Sequence, residues 1–173
     1  MRRSPVAAFF ASAAVVISLS FAGLARAAPP PNIGSQAPQF VLPVIANGRG
    51  WLSSSALRGH PIFLNFFASW CKPCQDEAKT LRELAGEFKR RGVVTVGIAT
   101  LDTQSGAKNF VKQYGLPYPI LFDASGSVGG SYGLAQLPLQ VFISADGKVV
   151  LWGDKQMTEA SGRDALRRLG LRD

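Results

Sequence analysis

The pattern of apolar and polar positions predicts alternating strands and helices over most of the chain. Two nearly continuous apolar runs of strand length, residues 62–67 and 93–99, are typical of strands that are buried on both faces of a sheet. Apolar residues recur at spacings of three and four from 78 to 88, and a second helical pattern covers 105–114. A glycine closes each helical pattern, as glycine commonly does at helix ends.

Shorter elements are predicted at both ends of this central block. Phe40–Pro43 and Trp51–Leu52 flank an Asn47-Gly48 turn, which predicts a small N-terminal hairpin. A short extended piece at 118–122, followed by a glycine-rich and weakly helical stretch to Gly133, forms a central insert.

The C-terminal part is predicted to hold a second hairpin and a last helix. Strands at 139–144 and 148–151 are joined at Asp146-Gly147, and a helix follows at 158–169. The order of elements is therefore β, α, β, α, insert, β, β, α. This order predicts an α/β fold with a central mixed sheet that is flanked by helices. The strands in the middle of the sheet are parallel, and the C-terminal hairpin forms an antiparallel edge.

The first 27 residues are predicted to be a signal peptide. The chain begins with a positively charged n-region, Met1-Arg2-Arg3, followed by an apolar region, Val6–Leu24. Ala25-Arg26-Ala27 then has the small-x-small pattern of a cleavage site. The alternative is an uncleaved anchor, because Val6–Leu24 is about long enough to span a bilayer. Residues 28–38 are predicted to be an extended leader and 39–173 the folded domain. In either case the domain is exported to a periplasmic or other extracytoplasmic compartment, where thiols can be oxidised.

Composition fits an ordinary packed domain, with 47% hydrophobic and 17% charged residues. Removing the three arginines of residues 1–27, which contain no acid, lowers the formal charge from +8 to +5. The remaining basic residues form no stripe interleaved with aromatic residues, so the sequence argues against nucleic acid as a partner. We expect a monomer.

The chemistry is predicted to reside in the only two cysteines, Cys71 and Cys74. Cys71 stands where a strand ends and a helix begins. The unpaired N–H groups of the first helical turn and the neighbouring Lys72 both favour its thiolate form, so we expect its pKa to lie below the value of about 8.5 for a free thiol. Pro73 fits the first helical turn. We expect Cys71 to be the exposed attacking thiol and Cys74 the buried resolving thiol, with Trp70 covering one side of the pair.

Two other interpretations of the cysteine pair are weaker. A structural disulfide across two residues would constrain little chain and stabilise little. A zinc site needs four ligands, and His60, which we expect in a solvent-facing loop, is the only histidine. We therefore predict no metal and no cofactor other than the redox-active Cys71–Cys74 disulfide.

Several motifs resemble a known family. Ala68-Ser69-Trp70-Cys71-x-Pro73-Cys74, between a strand and a helix, resembles the motif of the thioredoxin fold. Three further segments resemble the exported TlpA/ResA-like thioredoxins: Ala37-Pro38-x-Phe40-x-Leu42, Leu57-Arg58-Gly59-x-Pro61 and Tyr114-Gly115-Leu116-x-Tyr118-Pro119. The resemblance implies a thiol–disulfide oxidoreductase that reduces exported proteins, such as apocytochrome c or copper-centre assembly factors. It also implies a membrane electron donor of the DsbD/CcdA type.

The same resemblance implies two further site positions. Pro138 matches the family's cis-proline, which faces the cysteine pair and leaves the backbone of Leu137 free to pair with substrate; an ordinary trans-proline starting an edge strand is the alternative. Glu77 matches a glutamate three residues after the second cysteine, while Asn65 replaces the buried aspartate of ordinary thioredoxins. Glu77 could accept the proton of Cys74, or it could be an acid in the first helical turn that merely complements the helix dipole.

Two other functions fit the sequence less well. A thiol peroxidase of the peroxiredoxin type would require a threonine or serine three residues before the reactive cysteine and a proline further upstream, where this chain has Ala68 and Leu64. A non-catalytic copper-binding or assembly module would require a wider cysteine spacing and a late histidine, and the chain has neither.

Overall fold

A computed structural model describes residues 29–171. Seven strands are present in this part of the chain: β1 (Val41–Ala46), β2 (Trp51–Ser53), β3 (Ile62–Phe67), β4 (Val94–Thr100), β5 (Ile120–Asp123), β6 (Leu139–Ile143) and β7 (Val149–Gly153). The helices are α1 (Lys72–Arg90), α2 (Gln104–Tyr114), α3 (Ser127–Ser131) and α4 (Glu159–Arg168), with one 3-10 turn at Ser54–Leu57. The predicted signal peptide lies outside the described residues.

The strands form one mixed sheet in the order β2-β1-β5-β4-β3-β6-β7. All six residues of β3 are buried, and β3 pairs parallel to β4 and antiparallel to β6. The predicted α/β architecture with a central mixed sheet is thus confirmed. The central insert contributes β5, which lies between β1 and β4, and the short helix α3.

Alternating residues of β3 face two apolar layers. Phe63 and Phe67 belong to the layer under α1, α2 and α4, where Phe63 stacks on Phe142 with ring centroids 4.5 Å apart. Leu64 and Phe66 belong to the opposite layer, which the 3-10 turn, α3 and the segment before β1 cover. The three longer helices therefore share one face of the sheet, and shorter segments close the other.

The N-terminal hairpin is part of the main sheet. Its strands pair across a turn in which Asn47 has a φ of 54°, and β1 also pairs with β5. A hairpin with only three residue pairs would be marginal alone, so we expect the pairing of β1 with β5 to stabilise it.

The segment predicted to be an extended leader docks on the opposite edge of the sheet. Gly34 N–H donates to Val149 O at 2.7 Å, and Ala37 N–H donates to Gly147 O at 2.9 Å. Within residues 29–171, no helix is long and apolar enough to cross a membrane.

Candidate active site

The cysteine pair lies at the junction of β3 and α1, as the pattern predicted. Cys71 is the N-cap of α1, and its Sγ accepts a hydrogen bond from Cys74 N–H at 3.2 Å. Pro73 occupies the first turn, where a missing N–H costs no hydrogen bond. The two sulfur atoms form a disulfide, with the Cα atoms 5.3 Å apart. The helix start thus offers a hydrogen-bond donor to the Cys71 sulfur.

One expectation about this pair was wrong. Cys71 was predicted to be exposed, yet only 3% of its surface is accessible, against 1% for Cys74. Both cysteines belong to the apolar layer under α1, where they pack with Phe67 and Ala78. Exposure therefore does not distinguish the two roles in this oxidised state.

The loop before Cys71 is clamped by the loop between β4 and α2. The Asp102 carboxylate accepts the Ser69 N–H at 2.6 Å and the Ser69 hydroxyl at 2.9 Å. Gln75 Nε2 donates to Ser69 O at 2.9 Å, so every polar atom of Ser69 is bonded. Asp102 was not among the residues predicted from the sequence, and we call this contact the Asp102–Ser69 clamp.

Trp70 is held by the same neighbouring loop. Its indole Nε1–H donates to Leu101 O at 3.1 Å, while 63% of the residue remains exposed. Leu101 has a φ of 52°, a conformation unusual for a leucine, and is itself 55% exposed. These two apolar side chains therefore form an exposed surface beside the disulfide loop.

Glu77 lies one turn beyond the cysteines and is almost wholly buried. Its Oε1 accepts Asn65 Nδ2–H at 3.1 Å, and its Oε2 accepts Gln140 Nε2–H at 2.7 Å and the backbone N–H of Met157. Only 2% of Glu77 is accessible. The alternative of an acid in the first turn that merely complements the helix dipole is therefore wrong, since Glu77 is in the second turn and inside the protein.

Burial dominates the electrostatics of Glu77. Loss of water raises the pKa of Glu77 to about 7, although the hydrogen bonds from Met157, Asn65 and Gln140 favour the charged form and oppose the rise. A carboxyl group with this pKa is partly ionised at neutral pH, so it can both accept and release a proton there.

The strand register explains why these partners meet. Gln140 in β6 pairs with Asn65 in β3, so the two amide side chains lie in one row across the sheet. Asn65 was recognised from the resemblance, whereas Gln140 and Met157 were not predicted. Gln140 is a buried polar residue in an otherwise apolar strand, which is the one sequence signal that could have identified it.

Pro138 precedes β6 at the disulfide end of the sheet. The Leu137–Pro138 peptide bond is cis, as the resemblance implied, so the alternative of a trans-proline does not hold. Phe66 in β3 pairs with Leu139 in β6, which places Pro138 next to the end of β3 and hence beside the loop that carries Cys71. Leu137 is half-buried and contacts both apolar layers.

Other charges near the site are exposed. Lys72 forms an ion pair with Asp76, and both side chains are largely accessible, so the lysine adds little to the field at Cys71. His60 is exposed, as predicted. Among residues 29–171, no group of three or more His, Cys, Asp or Glu side chains is placed to hold a metal ion.

Comparisons with known proteins agree with this geometry. The AhpC/TSA family model matches residues 33–151. The chain is 38% identical over 119 residues to the thiol-disulfide oxidoreductase ResA of Bacillus thuringiensis (strain Al Hakam), covering 69% of this chain and 68% of that protein. ResA of Bacillus subtilis (strain 168) is 35% identical over 133 residues, covering 77% and 73%.

A solved structure shows the same fold. A secreted Mycobacterium tuberculosis disulfide oxidoreductase homologous to E. coli DsbE superposes with a TM-score of 0.65 at 28% identity, covering 76% of this chain and 95% of that one. The predicted thioredoxin fold and the predicted family are thereby confirmed. The chain belongs to the AhpC/TSA family and to the thioredoxin-like, TlpA/ResA-like thiol-disulfide oxidoreductases.

Proposed function

We propose that this protein is an exported reductase of disulfides in specific exported proteins, with Cys71 as nucleophile, Cys74 as resolving thiol and Glu77 as proton acceptor. The observation that carries the proposal is the combination of a cysteine pair at a helix start with a buried carboxyl group one turn further on. The secreted state of the tuberculosis neighbour supports export.

The exchange begins from the dithiol form. The Cys71 thiolate attacks one sulfur of the substrate disulfide, forming a Cys71–substrate disulfide and releasing the other substrate sulfur as a thiolate. The Cys74 thiol then loses its proton and attacks Cys71 Sγ. The Cys71–Cys74 disulfide forms, and the second substrate thiolate leaves. The substrate gains two electrons and the enzyme loses two.

Glu77 serves the second step. An ionised carboxylate at this depth accepts the Cys74 proton, and a pKa of about 7 lets it release that proton again at neutral pH. Its negative charge would also raise the pKa of a nearby thiol, so it opposes the effect of the helix start on Cys71. Destabilising the thiolate destabilises the reduced form, so the effect of Glu77 is in the direction that makes the dithiol a better reductant.

Substrate would dock on the walls of the disulfide loop. Leu137, ahead of Pro138, offers backbone groups to an extended substrate segment, and Trp70 offers an apolar surface. The family resemblance supplies the proposed partners. These are a membrane electron donor of the DsbD/CcdA type, which restores the dithiol, and substrates such as apocytochrome c or copper-centre assembly factors. The protein would act as a monomer.

The two alternative functions have less support. Position 68, where a peroxiredoxin would need a hydroxyl, is an alanine with no accessible surface. A copper module would need donors beyond the cysteines, and the described residues bring no such cluster together.

Trapping tests the assigned roles. Cys74→Ser removes the resolving thiol, so Cys71 should remain joined to an oxidised substrate, for instance a two-cysteine peptide that copies the haem-attachment segment of a c-type cytochrome. Mass spectrometry should find this adduct on Cys71, and dithiothreitol should release it. Cys71→Ser and the double variant are the matched controls. Adducts that accumulate on Cys71→Ser instead would reverse the two roles.

A further inference from the structure

Tyr118 carries a buried hydroxyl group that the proposed mechanism does not use. The residue lies just before β5, inside the layer under α1. Its hydroxyl oxygen is buried without a hydrogen-bond partner, a state that it shares, within residues 29–171, with Thr95 Oγ1. Native interiors rarely leave such a group unpaired, and phenylalanine would fill the same space without that cost. The hydroxyl is thus free to take a partner in another state of the protein.

The backbone and the sheet hold the Tyr118 ring above Gly97 in β4. Asn47 Nδ2–H donates to Tyr118 O at 2.9 Å, which fixes the backbone. A Cβ on Gly97 would lie 3.1 Å from Tyr118 Cε2, the ring atom next to the carbon that bears the hydroxyl. A glycine inside a strand commonly marks such a close approach. The missing side chain at position 97 therefore gives the hydroxyl end of the ring its place against the sheet.

This place adjoins Glu77. Gly97 pairs with Asn65 in the parallel register of β4 and β3, so both residues face the layer under α1. Asn65 Nδ2–H in turn donates to Glu77 Oε1 at 3.1 Å. Burial raises the pKa of Tyr118 above its usual range, and the nearby Glu77 carboxylate raises it further, so the phenol keeps its proton. The phenol, the amide and the carboxyl group thus form one buried cluster.

The other elements packed around Glu77 contribute neutral groups. From α1 itself come the two cysteines, which do not titrate while they form the disulfide. The strands β3 and β6 and the loop before α4 contribute the donors Asn65, Gln140 and Met157 N–H. The charged side chains of that loop and of α4 are partly or fully exposed. Among the described residues, Tyr118 is therefore the titratable neighbour that can share a proton with Glu77 in the oxidised protein.

A proton on Glu77 changes what its carboxyl group requires. The ionised carboxylate accepts N–H hydrogen bonds, whereas the protonated group also has an O–H that needs an acceptor. Oε2 already receives two donors and Oε1 only one, so Oε1 has the free lone pair for the proton. A tyrosine hydroxyl can accept a hydrogen bond as well as donate one. We propose that the Tyr118 hydroxyl accepts the Glu77 O–H when Glu77 is protonated, and so holds that proton inside the site.

The part of Tyr118 in turnover rests on the proposed function, in which Glu77 takes its proton from Cys74. Tyr118 would then keep this proton on the carboxyl group while the Cys71–Cys74 disulfide forms. The contact itself does not depend on that role, because it concerns only the two protonation states of Glu77. Tyr118 acts through Glu77, so it is a positioning residue.

Titration of Glu77 in the oxidised protein tests the contact, since the cysteines do not titrate there. Heteronuclear NMR follows the side-chain carboxyl signal, which is assigned by its absence from Glu77→Gln. The pKa of Glu77 in the parent should be about 7. Tyr118→Phe removes the acceptor of the protonated form, so the pKa of Glu77 should fall by about 0.5–1 pH unit, the size expected for one hydrogen bond.

Either of two other results would overturn the proposal. An unchanged pKa of Glu77 in Tyr118→Phe would mean that an amide oxygen of Asn65 or Gln140 turns to accept the proton. A higher pKa would mean that the Tyr118 hydroxyl donates to the ionised carboxylate instead.

Two control variants separate this contact from packing. Thr95→Val removes the other unpaired hydroxyl, two residues earlier in β4. Tyr132→Phe removes a buried phenol of the opposite layer, whose hydroxyl donates to Pro38 O at 2.8 Å. Both should leave the pKa of Glu77 unchanged. A fall as large as that in Tyr118→Phe would reveal a general effect of core substitution and contradict the proposal.

A failure of the proposed function would give a different result. If Glu77 does not accept the Cys74 proton, Glu77→Gln should resolve a preformed Cys71–substrate disulfide as fast as the parent, while Tyr118→Phe still lowers the pKa of Glu77. If Tyr118 is not the acceptor, Glu77→Gln should slow this step, while Tyr118→Phe leaves the pKa of Glu77 where it is in the parent.

Discussion

At the scale of single residues, the site combines a buried acid, Glu77, with the partly buried Asp102–Ser69 clamp. Glu77 accepts hydrogen bonds from three donors, Asn65 in β3, Gln140 in β6 and the backbone of Met157 in the loop before α4. Those donors stabilise the carboxylate, but desolvation outweighs them. The pKa of Glu77 is thereby raised to about 7, which suits the proton transfer that we propose for it.

Replacing Glu77 tests its burial directly. The pKa of Glu77 is raised from 4.5 to about 7, so the folded protein holds a proton that the unfolded chain has lost between these pH values. Its free energy of unfolding must then fall as pH rises through this window. Glu77→Gln has no titrating group at this position, so its free energy of unfolding does not fall in this way. The difference in free energy of unfolding, variant minus parent, should therefore rise by about 3 kcal/mol from pH 4 to pH 8.

Denaturant unfolding of the oxidised proteins at several pH values measures this difference. Glu83→Gln, at an exposed acid of the same helix, should keep the pH dependence of the parent. If the free energy of unfolding changed with pH in the same way for Glu77→Gln and the parent, the pKa of Glu77 would not be raised by folding.

The Asp102–Ser69 clamp gives a second prediction for a single residue. Asp102→Ala leaves the Ser69 N–H and hydroxyl without their acceptor, which should lower the free energy of unfolding by about 1–3 kcal/mol. It should also slow exchange with a small disulfide, because the loop before Cys71 is less well held. Asp76→Ala, which removes an exposed acid paired with Lys72, is the control and should change stability by less than about 1 kcal/mol. If Asp102→Ala and Asp76→Ala lowered the free energy of unfolding equally, the Asp102–Ser69 clamp would not stabilise the loop before Cys71.

At the scale of elements, the start of α2 is fitted against the disulfide loop. Thr103 caps α2 by accepting the Gly106 N–H at 3.0 Å. Gly106 has no room for a side chain, since a Cβ would lie 2.6 Å from Ser69 Oγ and 2.9 Å from Asp102 Oδ1. The glycine thus lets the first turn of α2 approach the loop that carries Cys71.

A pair of glycine variants tests this fit. Gly106→Ala should push Ser69 away from Asp102, lower the free energy of unfolding by about 1–3 kcal/mol and slow disulfide exchange. Gly86→Ala, in the open on α1, should instead stabilise by up to about 1 kcal/mol. Thermal unfolding and an exchange assay measure both effects. If Gly106→Ala were more stable than the parent and fully active, the space between Gly106 and the Ser69–Asp102 pair would be large enough for a methyl group.

The elements were largely predictable because they depend on local patterns. The apolar run of β3, the spacing along α1 and the Asp146-Gly147 turn each specify one element without reference to the rest. The partners of the site were not predictable in the same way. Asp102, Gln140 and Met157 contact residues 33, 63 and 80 positions away, and only the packed sheet brings them together. The exposure of Cys71 was misjudged for the same reason.

At the scale of the whole molecule, the sheet brings the parts of the candidate site to one of its ends. The C-terminal end of β3 carries the disulfide, with the cis Leu137–Pro138 bond and the exposed Trp70 and Leu101 beside it. Glu77 is a buried residue of α1 one turn beyond Cys74, and its carboxyl group has almost no contact with solvent.

The standard reduction potential of the Cys71–Cys74 couple tests the proposed reductase most directly. It can be measured by equilibrating the purified domain with dithiol buffers and quantifying the free thiols. A reductase whose buried carboxylate opposes thiolate formation should have a potential below about −200 mV, towards the thioredoxin value of about −270 mV. A potential near about −120 mV, as in strong oxidants such as DsbA, would contradict the proposal.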